Sequence, residues 1–144
     1  MIQLTEEMRR SINGARANGT PCILATASPD GVPNAGFRGS MMVFDEGSLA
    51  YRERSQLSSL DHLQQNAKVV VLFRDAGKDV GWKFRCTANL HRDGATYQEV
   101  INRLAESGYI HDPETPGTAV ILQVDQIVSL MGEVLQERVP NLRW

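Results

Sequence analysis

The segment FRGSMMVFDEGSLAYRERSQLSS, Phe37–Ser59, carries the pattern from which the rest of the fold is read. A small polar step, Arg38-Gly39-Ser40, leads into the apolar run Met41 to Phe44. Asp45-Glu46-Gly47 supplies turn chemistry, and Ser48 to Arg52 returns as a second strand. The hydroxyls of Ser55, Ser58 and Ser59 then open a helix. Met41 and Met42 are adjacent, so only one of them can face a core. Guanidinium groups at Arg52 and Arg54, followed by hydroxyls at a helix N-terminus, form a donor set suited to phosphate.

Upstream, Pro21 to Ser28 reads as a mostly buried strand. Pro29-Asp30-Gly31 turns it into a long strand from Val32 to Phe44, interrupted by Gly36 and Gly39. These interruptions predict a bulge or a close approach by a ligand or another backbone. With Ser48–Arg52 this gives three consecutive antiparallel strands. A helix over 5–18 precedes them: Leu4, Met8, Ile12 and Ala15 recur at helical spacing, Thr5 caps the start, and Gly19 and Pro21 end it.

Downstream, Ser55 to Gln65 reads as a short helix with Leu57, Leu60 and Leu63 inward. The β-branched run Lys68 to Phe73 reads as a central strand. Trp82, Phe84, Cys86, Ala88 and Leu90 alternate with Lys83, Arg85, Thr87, Asn89 and His91 across the next strand. Asp93 caps a helix over 94–107, with Tyr97, Val100, Ile101 and Leu104 inward. A last strand runs from Thr118 to Val124, and its apolar pattern resumes after Asp125-Gln126. Short strands with inserted helices favour a closed or partly closed antiparallel barrel over a parallel sheet.

The chain has 144 residues, 42% of them hydrophobic, and a net charge of -2. That suits one domain over 1–144, with a barrel over about 21–131 and a polar tail over 136–144. Aromatic residues are only 6% and the balance is acidic, which argues against nucleic acid as a partner. No apolar run reaches membrane-spanning length, and a cytoplasmic protein is expected. Cys22 and Cys86 read as buried thiols. His62, His91 and His111 form no constellation, and no metal site is expected.

From Cys22 to Leu130 the chain resembles the FMN-binding split-barrel family, whose members include pyridoxamine 5'-phosphate oxidase. The resemblance rests on LATASPDGVPNAGF, GSMMVFDEGSLAY, SSLDHLQQNAKVVVLF and FRCTANLHRDG, in this order and spacing. It implies a mainly β, Greek-key split barrel that forms a homodimer with FMN at the subunit interface. Arg38, Gly39, Ser40, Met41, Met42 and Val43 would run along the flavin ring. Arg52, Arg54, Ser55, Ser58 and Ser59 would hold the phosphate, and Trp82 and Lys83 would add contacts, often from the partner chain. Many members carry charge where this chain has Ser58 and Ser59, so Arg52 or Arg54 would have to supply it. Only Arg138 and Arg143 lie in the tail, without the arginine-rich segment that grips vitamin B6 phosphate. Oxidation of pyridoxamine phosphate is therefore not expected.

The function so implied is an FMN-dependent oxidoreductase acting on an unidentified small molecule, with a nicotinamide cofactor as one possible redox partner. A flavin carries the electron chemistry itself, so a missing acid–base pair does not count against it. Two alternatives stand beside it: an FMN-binding electron carrier or sensor, and a barrel interaction module that has lost flavin. Trp144 is expected either to reach a partner's site or to be unordered.

Overall fold

A computed structural model describes residues 1–54, 58–109 and 114–144, with Ser58 and Ser59 described in backbone only. Its elements are α1 (Glu6–Asn13), β1 (Cys22–Ala27), β2 (Pro33–Arg38), β3 (Met42–Asp45), β4 (Ser48–Glu53), α2 (Ser58–Gln65), β5 (Lys68–Asp75), β6 (Val80–His91), α3 (Gly94–Glu106), β7 (Thr118–Ser129) and β8 (Val134–Glu137). The strands form one antiparallel sheet in the order β2-β1-β5-β6-β7-β4-β3, with β8 paired to β7 beyond β4. This is the mainly β split-barrel architecture expected from the sequence. The sheet does not close by a ladder, because β2 and β3 are its two edges.

The Val32–Phe44 segment is not one strand. It breaks at Gly39-Ser40 into β2 and β3, which lie at opposite ends of the sheet order although three residues separate them. The Met41 N–H closes the turn on the Arg38 carbonyl at 3.3 Å. No bulge occurs along β2, whose register with β1 is continuous from Pro33 to Arg38. Gly36 instead makes room for a side chain: a Cβ there would stand 3.0 Å from Arg38 Nη1.

β6 matches its sequence pattern. Trp82, Phe84, Cys86 and Ala88 are buried, and Lys83, Arg85 and Thr87 are half-buried on the other face. Opposite it, β7 is one long strand. Asp125 is an extra residue between Arg85↔Gln126 and Cys86↔Val124, a bulge that returns Ile127 to the inner face after Val124. The break in apolar pattern at Asp125-Gln126 is this bulge. β8 then adds Val134–Glu137 to the sheet, in a stretch that sequence alone assigns partly to the tail.

Two apolar clusters hold these layers. The larger fills the barrel, with Leu49, Tyr51, Phe73, Phe84, Leu122 and Ile127 almost fully buried. α1 contributes Met8 and Ile12 to it, and α2 contributes Leu60 and Leu63. Each such side chain contributes roughly 1.5–3 kcal/mol by leaving water. The smaller cluster lies on the outer face of β4 and β7, where Val100 and Leu104 of α3 pack on Ala50 and Ala119. β4 is therefore covered on both faces.

α1 and α3 end earlier than predicted. Thr5 caps α1 by accepting the Met8 N–H, but the α-helix stops at Asn13 and turns continue to Gly19. Asp93 precedes α3 without making a side-chain cap bond. Leu57 and His111 lie outside the described residues.

Candidate functional site

The seam between β2 and β3 is stitched by side chains. Ser40 is 5% exposed, and its hydroxyl accepts the Arg52 N–H at 3.0 Å while donating to the Arg52 carbonyl at 3.2 Å. One hydroxyl thus serves both backbone groups that a neighbouring strand would otherwise satisfy. Arg38, at the end of β2, reaches across to β4, with Nε 3.1 Å from Glu53 Oε2 and its guanidinium over the Tyr51 ring at 5.8 Å.

The two methionines divide as adjacent strand residues must. Met41 is in the barrel core, while Met42 packs against the α3 cluster. Val43 is buried in the core, and its N–H points to the open edge of β3. There it donates to Asn13 Oδ1 of α1 at 2.8 Å. The following residue, Phe44, is bulged out of the β3–β4 ladder, and its carbonyl accepts from Arg103 of α3 at 2.5 Å.

Arg52 and Arg54 have different environments. Arg52 is 3% exposed, and its guanidinium donates to the carbonyls of Pro116 at 3.0 Å and of Thr115. It fastens the segment entering β7. That approach is tight: Gly117 has φ +70°, and a Cβ on it would stand 2.5 Å from the Glu53 carbonyl oxygen. Arg54 is exposed at the end of β4 and makes no ion pair or hydrogen bond among the described residues. Ser55 and the side chains of Ser58 and Ser59 lie outside the described residues.

Two cavities adjoin at the Gly39-Ser40 turn. One, of about 420 Å³, runs along Gly39 to Val43 between the end of α1 and the end of α3. The other, of about 310 Å³, lies beside Arg38, Arg52, Glu53 and Arg54. Gly39, Ser40 and Tyr109 line both. The two groups of residues singled out in the sequence, 38–43 and 52–54, are therefore brought together.

Trp82 and Lys83 are not gathered with them. Met42, Ala50, Ile121 and Asn89 stand in line across β3, β4, β7 and β6. Trp82 and Lys83 lie farther along β6 than Asn89, roughly 20 Å away at strand rise. Trp82 is a core residue, stacked on Phe73 at 6.0 Å and 17°. Trp144 is also placed away from both cavities. Its ring lies under Lys68 at 5.7 Å and Arg85 at 5.5 Å, and its Nε1–H donates to Asp125 Oδ2 at 3.2 Å.

Among the described residues no group of His, Cys, Asp and Glu could hold a metal ion. Burial pushes the Cys22 thiol up to about 12 and also raises Cys86, so neither is a ready nucleophile. No described helix is long and apolar enough to cross a membrane.

Against known proteins, residues 4–129 match the profile of the family described as pyridoxamine 5'-phosphate oxidase. The chain belongs to the pyridoxamine 5'-phosphate oxidase family. An uncharacterised protein of Methanocaldococcus jannaschii is 25% identical over 132 residues, covering 90% of this chain and 83% of that one. The crystal structure of HupZ from Group A Streptococcus matches with a TM-score of 0.77 at 26% identity, covering 94% of this chain and 100% of the other. A pyridoxamine 5'-phosphate oxidase-related, FMN-binding protein of Nostoc punctiforme shares the fold at a TM-score of 0.59 and 16% identity, over 88% and 83% of the two chains.

On this pyridoxamine 5'-phosphate oxidase family fold, the donor set fits a phosphate-bearing, acceptor-rich ligand such as FMN. Arg54 is a cation without a partner among the described residues at the smaller cavity, and Arg16 and Asn13 add donors at the larger. The cavity volumes, about 420 and 310 Å³, fall in the range of small-molecule sites. Sequence reasoning missed Asn13, Arg16, Arg103 and Tyr109. Asn13 is thirty residues from Val43 and joins it only through the packing of α1 on β3. No local pattern in the sequence signals that contact.

Proposed function

We propose that this chain binds FMN in the two adjoining cavities and acts as a flavin-dependent oxidoreductase on a small molecule. The observation that carries it is the junction at Gly39, Ser40 and Tyr109, where a ring-sized cavity along 39–43 meets a smaller one beside the exposed Arg54. Arg54 would hold the phosphate, with Ser58 and Ser59 at the start of α2, and Ser55 before them in sequence, as further donors. Arg52 would act indirectly, by fixing β4 and the segment before β7. Met42 and Leu104 give the larger cavity apolar walls that exclude water. When bound, FMN supplies hydride or single-electron transfer from its ring.

A homodimer is part of this proposal. In a homodimer, Phe37, 67% exposed, and Met131, 95% exposed, are apolar side chains that a second copy would cover. Trp82 and Lys83 would reach a cavity only from a second copy. A non-catalytic FMN carrier is favoured by one feature: among the described residues, the one carboxylate lining the larger cavity is the exposed Glu106.

The test starts with the purified protein. A yellow preparation that releases FMN on denaturation, or apoprotein that takes up added FMN, is expected. Protein that stays colourless and fails to bind FMN would refute the proposal. Oxidation of reduced nicotinamide cofactor above a flavin-only control separates the enzyme from the carrier. A solution mass equal to one chain would remove the dimer.

A further inference from the structure

The α1 end of the larger cavity carries donors that the seam residues do not provide. Asn13 is exposed at the last position of α1, and its Oδ1 accepts the Val43 N–H at 2.8 Å. A backbone N–H can bond only the carbonyl oxygen of an asparagine amide, so this contact fixes which way the amide faces. Its oxygen is turned to β3, and its Nδ2–H₂ group is left as a donor at the cavity wall. Arg16, in the turns that follow α1, is also exposed. Its guanidinium lies over the Tyr109 ring at 5.1 Å. Its Cδ is 3.7 Å from where a Cβ on Gly39 would stand, so the side chain passes directly over the turn. Among the described residues no carboxylate pairs with it. The other cation lining the cavity, Arg103, is already committed to the Phe44 carbonyl and to Glu99.

We infer that Asn13 and Arg16 are ligand-binding residues of this site, presenting an amide and a guanidinium donor to the acceptor edge of the flavin ring. This rests on the FMN proposal above and extends it to a helix outside the 38–59 segment. The pyrimidine half of the flavin ring carries two carbonyl oxygens and ring nitrogens that accept hydrogen bonds. A planar acceptor edge set against the 39–43 segment would meet the Asn13 and Arg16 donors at the α1 end of the cavity. The aromatic face of Tyr109 holds the guanidinium in place without neutralising it. Val43 fixes the amide in the donor orientation, so neither group needs rearrangement to engage a ligand.

The decisive variant is Asn13→Asp. It keeps an oxygen to accept the Val43 N–H, so α1 stays docked on β3. It replaces the Nδ2–H₂ donor with a negatively charged acceptor. FMN affinity, visible absorption and thermal unfolding are measured for wild type, Asn13→Asp and Arg16→Ala. Wild type is expected to bind FMN. Both variants should unfold like wild type, bind FMN at least about tenfold more weakly and show a shifted flavin absorption band. If Asn13 only docks α1 and Arg16 only covers Tyr109, both variants bind FMN within about twofold of wild type with an unchanged band, and the inference falls while the flavin proposal stands. Wild-type protein that takes up no FMN overturns both.

Discussion

The Ser40 hydroxyl holds both backbone groups of Arg52, accepting the N–H at 3.0 Å and donating to the carbonyl at 3.2 Å. It joins the turn between β2 and β3 to the end of β4. Ser40→Ala would leave a buried N–H and C=O unpaired together, at a cost of about 1–3 kcal/mol. Denaturant titration is the measurement. A change below about 0.5 kcal/mol, the range of ordinary surface substitutions, would mean that water replaces the hydroxyl at no cost.

Arg52, in β4, and Arg54, just past its end, should separate in experiment. Arg52→Ala removes the donor shared by the Pro116 and Thr115 carbonyls and should destabilise the fold by about 2 kcal/mol. Arg54→Ala should leave the unfolding midpoint unchanged, because its side chain is exposed and has no partner among the described residues. It should nevertheless weaken FMN binding about tenfold, less so at high salt. Normal FMN affinity in Arg54→Ala at low salt would place the phosphate elsewhere.

Strong base should unfold the protein earlier than its surface charge alone would. Burial raises Cys22 to about 12, and burial likewise raises Cys86 and Tyr51. These groups stay protonated in the folded barrel, while in the unfolded chain a thiol releases its proton near about pH 8.5. The unfolded state therefore binds fewer protons above that pH, and stability falls as pH rises. The Cys22 contribution is fully present below about pH 8.5 and is lost progressively towards pH of about 12. Cys22→Ala should flatten this alkaline slope, although it also lowers overall stability by opening a small cavity. An unchanged slope in a pH series of denaturant titrations would contradict the assignment.

Trp144 should matter to the tail and not to the ligand. It packs against Lys68 and Arg85 and donates to Asp125, which also accepts from Thr87 at 2.6 Å and Gln123 at 3.0 Å. Trp144→Ala should cost about 1 kcal/mol and leave FMN affinity unchanged. Lost FMN affinity in this variant would bring the tail into the site.

Periodicity made most of the barrel legible. The alternation from Trp82 to Leu90 defined β6, and the adjacent Met41 and Met42 had to face opposite ways. Local rules failed where a distant partner decides. Val32–Phe44 reads as one strand because Gly39 and Ser40 are compatible with a bulge. Only the bonds to Arg52 show that the chain changes sheet edge there. Arg52 and Arg54 point to the same face by sequence spacing, yet carbonyls more than sixty residues away claim only Arg52. The roles of Asn13 and Arg16 depend on how α1 lies across β3, which no window of sequence contains.

The β4–β7 ladder also sets the order of assembly. It joins Ser48–Glu53 to Thr118–Gln123, whereas the β1–β2, β3–β4 and β5–β6 pairs are close in sequence. Closing so long a stretch of chain carries the larger entropic cost, so the local hairpins form first and the β3–β4 hairpin docks late. Both cavities are built partly on that hairpin, so they are complete only once it has docked. A ligand that recognises them can bind no earlier species, and its whole binding energy acts to hold the finished chain in place.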